Sequence, residues 1–224
     1  MNEQLAHAQT IRYAEEVQQL HRAERTQRRR AEAALTDLEG LYASTVRALA
    51  ATLELRDDVT GGHAVRVAAV AMQLAREVAP DLTDDPALEY GFLLHDLGKV
   101  GVPDAILLKP GPLSDLEFDQ MRIHPMLGAE IISQIPYLSG VARDVVLAHH
   151  ERWTGAGYPH GLRGKEIPLA ARIFSLADAF DAMTNDRPYR RACSAREAAE
   201  QIRAAAGAQF DPNLVEPFVA VVTP

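Results

Sequence analysis

Five histidines and two aspartates of this chain are of the residue types that bind metal ions. The histidines lie in or beside segments with helical spacing, and so do the aspartates. Imidazole nitrogens combined with carboxylate oxygens suit Fe, Mn, Zn or Ni, whereas Ca and Mg prefer oxygen ligands alone. Because one carboxylate can bridge two metals through its two oxygens, this set is typical of a binuclear centre. The candidate ligands are His63, His95, Asp96, His124, His149, His150 and Asp178.

A lysine close to the candidate ligands His95 and Asp96 indicates chemistry on a phosphate. Lys99 follows Asp96 by three residues and His95 by four, so on a helix its ammonium would share the face of the proposed ligands. Gly98 removes a side chain where a ligand or another backbone must approach closely. Two-metal hydrolysis of a phosphodiester needs ligands from several helices and a cation for the phosphate, and the chain supplies both.

Each of these residues, taken alone, has an ordinary structural explanation. A single histidine is more often a core or surface residue than a ligand, and Lys99 alone would be a solvated helix end. Their combination in otherwise apolar segments favours a metal site. The remaining histidines, His7, His21 and His160, show no such pattern and are assigned no function.

Helices must position the ligands, because helical spacing dominates the chain from Leu41 onward. The pairs His95-Asp96 and His149-His150 are each expected to hold the metals from one helix. One series of residues recurs at intervals of three or four and therefore shares one helix face: His63, Val67, Val70, Leu74 and Val78.

Capping patterns predict where several helices begin. Ser114 and Ser194 each precede a glutamate by three residues, which is the capping-box pattern. Asp85 and Asp211 each precede a proline, which favours a cap followed by a first-turn proline.

Strand patterns are nearly absent from the chain. Only residues 100–102 and 219–222 resemble strands, and both runs are short enough to be buried connectors. The glycine-rich segment 152–167 is expected to be a functional loop. We therefore predict an all-α protein, a helical bundle preceded by a long N-terminal helix.

The first forty residues differ from the rest of the chain. They contain no proline, and their first glycine is Gly40, which predicts one long helix. Apolar positions are sparse between Leu20 and Leu35, and Arg28–Arg30 interrupts any heptad pattern. A solvated helix and a parallel dimeric coiled coil that acts as a signalling stalk both remain open. We divide the chain into residues 1–40 and 41–224.

Composition excludes several classes of protein. With 224 residues and 47% apolar content the chain can bury one core, and its net charge of −8 argues against a protein that binds duplex DNA. Its single cysteine, Cys193, cannot form an intramolecular disulfide. The N-terminus lacks a secretory signal, and no apolar run approaches the roughly 20 residues of a membrane span. We expect a cytoplasmic protein.

Three segments of the chain resemble a known superfamily and one of its families. The segment Leu94-His95-Asp96-Leu97-Gly98-Lys99 is similar to the signature of the HD phosphohydrolase superfamily. The run from His149 to Pro159, together with Arg187-Pro188-Tyr189-Arg190, resembles the HD-GYP family more closely. The similarity covers roughly residues 41–224. This family is all-helical, and its characterised members are phosphodiesterases that hydrolyse the bacterial second messenger cyclic di-GMP.

The resemblance implies roles for individual residues. The seven candidate ligands would hold two divalent ions, Fe or Mn in preference to Zn or Ni, with Asp96 bridging them. Asp96 and Lys99 would be catalytic, and Lys99 would contact the scissile phosphate. Tyr158, Arg187 and Arg190 would bind the dinucleotide. The Gly157-Tyr158-Pro159 loop would lie beside the site, where it is also available to a protein partner.

Two positions depart from the family pattern. Val59 stands where some members have a carboxylate, four residues before the first histidine, that binds a third metal. Two metals are therefore expected here. Thr154 stands where the family usually has Asp or Asn, so it brings no charge to the loop.

Three functions follow from these residues. The favoured one is hydrolysis of cyclic di-GMP to linear pGpG, and onward to GMP if the opened dinucleotide rebinds. A second is a signalling module that binds cyclic di-GMP or a partner protein without turnover, for which Thr154 is the best support. A third is an HD hydrolase that acts on another nucleotide.

Overall fold

A computed structural model describes residues 2–57, 61–186 and 191–223. Within these ranges the chain is helical and contains no strand, which confirms the all-α prediction. None of the described helices is both long and apolar enough to cross a bilayer. The α-helices are α1 (Asn2–Asp57), α2 (His63–Val78), α3 (Ala87–Leu93), α4 (Asp104–Leu107), α5 (Asp115–Met121), α6 (His124–Ser133), α7 (Val141–Ala148), α8 (Leu169–Thr184), α9 (Ala195–Ala204) and α10 (Pro212–Val222).

The long N-terminal helix does not stop at Gly40. Helix α1 continues to Asp57, and the chain divides into two compact units, Met1–Thr45 and Val46–Pro224. In the first unit the apolar side chains of Leu20, Leu35 and Leu38 are exposed. Because the boundary lies between Thr45 and Val46, the last three turns of α1 belong to the second unit, which contains all the candidate ligands.

The second unit packs its helices around one apolar core. Helix α2 packs against α8 and α3, and α7 packs against α3 and α6. The rings of Phe92 and Phe174 stack at the centre with centroids 5.6 Å apart. Val67 and Leu74 are fully buried on the predicted inner face of α2, so helical spacing correctly indicated which side of this helix faces the core.

Most predicted helix starts are confirmed. Ser114 and Ser194 form complete capping boxes, and the Asp211 carboxylate accepts a hydrogen bond from the amide of Asn213. Asp85 is not the cap residue of α3 as expected: the cap is Pro86, one residue later, although the Asp85 carboxylate still accepts from the Ala87 amide at 2.9 Å. Residues 100–102 belong to a 3₁₀ turn and its end, and residues 219–222 are the last turn of α10, so neither run is a strand.

One expectation about the ligand pairs is wrong. His95-Asp96 and His149-His150 do not lie on helices but in turns directly after α3 and α7. Adjacent residues on a helix diverge by about 100°. A turn removes this constraint, so both members of each pair face the same space.

Candidate metal centre

The ends of helices position most of the candidate ligands. His63 and His124 are the first residues of α2 and α6, the two adjacent pairs follow α3 and α7, and Asp178 lies within α8. The structure brings all seven together in two sets, in each of which the ligand atoms lie within 4.8 Å of one another. The first ligand group is Asp96, His124, His149 and His150, and the second ligand group is His63, His95 and Asp178.

Asp96 lies between the two groups. Its Oδ1 is 3.3 Å from Nε2 of His124 and 3.8 Å from Nε2 of His149, both in the first ligand group. Its Oδ2 is 3.1 Å from Nε2 of His95 in the second. The two oxygens of one carboxylate thus face different groups, which is the arrangement that a bridging ligand requires.

Three of the histidines are oriented by the helix that precedes them. In each case Nδ1 lies 2.8–2.9 Å from a backbone carbonyl three residues earlier, in the last turn of α3, α5 or α7. Carbonyls at helix C-termini lack intrahelical partners, so they are free to accept this bond. Donation from Nδ1 leaves Nε2 as the ligand atom and points it into the centre. The three histidines are His95, His124 and His149.

Burial sets the protonation of the first ligand group. It lowers the pKa of His149 well below its usual value and, together with the neighbouring His124, lowers the pKa of His150 to about 3. Both rings are therefore neutral, the form that binds metals. Burial alone would raise the pKa of Asp96, but Lys99, His95 and His124 outweigh it and hold that pKa well below the ordinary value.

The 3₁₀ turn after Asp96 holds Lys99 against the centre. The Lys99 ammonium lies 2.9 Å from Oδ2 of Asp96, as the spacing of three residues predicted. A Cβ added to Gly98 would lie 1.8 Å from the carbonyl oxygen of His124 and 2.5 Å from the amide of Gly128. Because the backbone of α6 approaches this closely, position 98 has room only for glycine.

An open cavity of about 500 Å³ adjoins the two groups. Its wall includes His150 and Tyr158, whose rings lie 4.6 Å apart, and Arg122, whose guanidinium lies 5.2 Å from the Tyr158 ring. Burial, reinforced by the charge of Asp96, raises the pKa of Tyr158 to about 12, so its phenol keeps its proton. The predicted nucleotide contacts Arg187 and Arg190, like Val59, lie outside the described residues.

Backbone hydrogen bonds anchor the predicted loop beside this cavity. The buried carboxylate of Glu151 accepts from the amides of His160 and Leu162 at 2.8 and 3.1 Å. Thr154 is exposed, and its amide donates to the Ala208 carbonyl at 3.1 Å. A Cβ at Gly157 would lie 2.4–2.6 Å from backbone atoms of residues 150–152, so the turn requires glycine there.

Sequence reasoning missed two residues of α1 that support the site. Glu54 accepts hydrogen bonds from the amides of Gly62 and Ala64 and so caps the start of α2, where His63 lies. Arg56 donates to the carbonyls of Lys99 and Val102, each at 2.7 Å. The glycine before His63 offers no capping side chain, and this was the available signal that a carboxylate must come from elsewhere.

Sequence reasoning also missed Asp181. This buried aspartate lies 2.7 Å from Nδ1 of His63 and is ion-paired with Arg66. Its position one helical turn after Asp178 on α8 was the signal available, because residues three apart on a helix are neighbours.

Comparison with known proteins identifies the family. The family model described as HD domain matches residues 47–214. A probable cyclic di-GMP phosphodiesterase of Vibrio cholerae is 39% identical over 198 residues, covering 82% of this chain and 45% of the relative. A cyclic di-GMP phosphodiesterase of Thermotoga maritima is 37% identical over 191 residues, covering 84% of this chain and 52% of the relative. The chain thus spans about half the length of these relatives.

A solved structure supports the fold. The crystal structure of a cyclic GMP-AMP specific phosphodiesterase of V. cholerae aligns with a TM-score of 0.61 at 22% identity, covering 80% of this chain and 48% of that one. The predicted resemblance is confirmed by the family match and by the relatives. On its motifs, its fold and its relatives, this chain belongs to the HD domain family.

Proposed function

We propose that this protein is a metal-dependent phosphodiesterase that hydrolyses cyclic di-GMP to linear pGpG, and onward to GMP if the opened dinucleotide rebinds. The observation that carries the proposal is the pair of ligand groups with the Asp96 carboxylate between them, with Lys99 2.9 Å from that carboxylate and an open cavity alongside. Relatives named cyclic di-GMP phosphodiesterases, 37–39% identical over most of the chain, support the same substrate.

The donor set fits two divalent transition-metal ions, Fe or Mn in preference to Zn or Ni. Each ligand group combines two or more imidazoles, most of them buried, with a carboxylate, a composition that suits these metals. The first ligand group would hold one ion and the second ligand group the other, with Asp96 serving both. Such ions, when bound, activate water for attack on phosphorus and stabilise charge on the phosphate oxygens.

The chain's own residues would bind and orient the substrate. Lys99 supplies a fixed positive charge beside the ligands, where it would neutralise charge that develops on the phosphate. Tyr158 keeps its proton and offers both a hydrogen bond and an aromatic face to a nucleotide in the cavity. We assign Arg187 and Arg190 to the dinucleotide as well, since a guanidinium suits both phosphate and purine.

Cyclic di-GMP turnover by metal-replete protein tests the function directly. Chromatography should show pGpG. Asp96→Ala should abolish the product, because the first ligand group loses its carboxylate and no oxygen of Asp96 then faces His95 in the second ligand group. Elemental analysis of anaerobically purified protein should give two metal equivalents. A panel including cyclic GMP-AMP, which differs by one base, tests the substrate. Intact cyclic di-GMP after incubation with protein containing two metal equivalents would refute the proposal.

Catalysis is favoured over binding without turnover because all seven proposed ligands lie within the two groups. Thr154, the best support for a signalling module that binds without turnover, is exposed at the loop surface. We keep the Gly157-Tyr158-Pro159 loop as a proposed contact for a protein partner.

We further propose that residues 1–40 act as a signalling stalk for a phosphodiesterase domain formed by residues 41–224. The exposed Leu35 and Leu38 on α1 would be covered in a parallel homodimer. Sedimentation of the full chain should show a dimer, and the double variant Leu35→Glu and Leu38→Glu should be monomeric. A wild-type monomer at micromolar concentration would contradict the stalk dimer.

A further inference from the structure

Asp181 is a buried carboxylate that the proposed chemistry does not use. It is only 6% exposed and lies on α8, three residues after the candidate ligand Asp178. Three neighbours donate hydrogen bonds to it. Nδ1 of His63 lies 2.7 Å from Oδ2, and the side-chain amide of Asn185 donates to Oδ1 at 2.9 Å. The Arg66 guanidinium donates to both oxygens at 2.7 and 3.1 Å.

We propose that Asp181 is a positioning residue of the metal centre. By accepting a hydrogen bond from Nδ1 of His63, it selects the imidazole tautomer whose Nε2 is free to bind a metal in the second ligand group. The inference rests on the proposed function, since it assumes that this group holds an ion.

His63 needs this partner because its surroundings differ from those of the other oriented histidines. His95, His124 and His149 each have Nδ1 beside a carbonyl in the last turn of a preceding helix. The Nδ1 partner of His63 is instead a carboxylate from a helix 118 residues away in sequence. Its Nε2 lies 3.4 Å from Oδ1 of Asp178, so the ring already faces the second ligand group.

A carboxylate partner does more than a carbonyl. It orients the ring, and its charge also increases the basicity of the opposite nitrogen and so strengthens the metal bond. Arg66 completes the arrangement from α2, one turn after His63. Its two hydrogen bonds hold the plane of the Asp181 carboxylate, and the hydrogen bonds from His63 and Arg66 keep the pKa of Asp181 below its usual value although burial alone would raise it.

The alternative role for Asp181 is a purely structural ion pair with Arg66 that joins α2 to α8, and the chain offers a matched control for that role. Asp211 is also buried, at 2% exposure, is ion-paired with Arg172 and caps α10. Its described partners include no histidine. Loss of either carboxylate should therefore lower stability, but only loss of Asp181 should change metal binding.

The experiment compares the full-length wild type, Asp181→Asn and Asp211→Asn after removal of metal. Mn²⁺ is titrated into each, with free Mn²⁺ followed by electron paramagnetic resonance. In Asp181→Asn, one of the two sites should weaken by about 10- to 100-fold, the usual cost of losing such a partner. The kcat for cyclic di-GMP should fall and recover at high Mn²⁺, with KM little changed. Asp211→Asn should keep both affinities, and Asp181→Glu should recover part of the loss.

Each outcome separates the inference from the function on which it rests. Two wild-type affinities in Asp181→Asn would overturn the positioning role and leave the phosphodiesterase intact. A wild type that binds fewer than two Mn²⁺ or leaves cyclic di-GMP intact would refute the proposed function itself. If Asp181→Asn fails to fold, Arg66→Gln replaces it, because the carboxylate then loses the two hydrogen bonds that hold its plane and is oriented less rigidly beside His63. Unchanged Mn²⁺ affinity at both sites in Arg66→Gln would overturn the proposal.

Discussion

Gly98→Ala should damage the metal centre without changing any of the ligand side chains. The added Cβ would lie 1.8 Å from the carbonyl oxygen of His124, whereas an ordinary contact begins near 3.4 Å. The backbones of the 3₁₀ turn and α6 must therefore separate by about 1.6 Å. Such overpacking typically costs about 1–3 kcal/mol of folding free energy, because two packed backbones are forced apart.

Separation of these two backbones would also displace the site residues that each of them carries. Asp96 lies two residues before Gly98 and Lys99 directly after it, and Nε2 of His124 is only 3.3 Å from Oδ1 of Asp96. A misplacement of about 1 Å can reduce a rate by about 100-fold, so we expect kcat to fall at least that far. Urea unfolding and kcat at saturating Mn²⁺ measure the two effects.

Gly101 provides the matched control within the same 3₁₀ turn. A Cβ at Gly101 would meet the Leu127 Cδ1 at 2.7 Å, the flexible end of a side chain that can change its rotamer. Gly101→Ala should therefore retain a kcat close to that of the wild type. If Gly98→Ala is as stable and as active as Gly101→Ala, the packing of this turn against α6 is not what positions Asp96.

Three further predictions test the ligands, the substrate contacts and a helix cap. His150→Ala should lower metal content while circular dichroism still reports wild-type helicity, because a ligand rather than a core residue is lost; unchanged metal content would refute the assignment. Arg187→Ala should raise the KM for cyclic di-GMP about tenfold with both metals retained, since a charge-assisted phosphate contact is removed, and an unchanged KM would count against that contact. The hydrogen bond from Lys109, with those from Ser114, lowers the pKa of Glu117 from 4.5 to about 2. Its stabilising effect is therefore present above about pH 4.5 and lost as pH falls toward 2. In Glu117→Gln the melting temperature should depend less on pH between about 4.5 and 2 than it does in the wild type. A pH dependence equal to that of the wild type would contradict the cap's role.

Helix starts and the inner face of α2 were predictable because local patterns determine them. A capping box needs only a serine and a glutamate three residues apart, and a buried face needs only apolar residues at helical spacing. Reliance on local spacing also explains why His95-Asp96 and His149-His150 were wrongly placed on helices. Local spacing does not reveal that α3 ends at Leu93 and α7 at Ala148, just before these pairs.

The amino-acid sequence alone determined which residue types are available for metal binding, the helical class of the fold and the position of Lys99 three residues after Asp96. These properties depend on residue identity and on neighbours within one or two turns. Only the tertiary structure decided the rest. The contacts of Asp181 with His63, and of Gly98 with the backbone of His124, join segments that are distant in the chain. No periodicity records such contacts, because they exist only once helices have packed and their ends have been brought together around one centre.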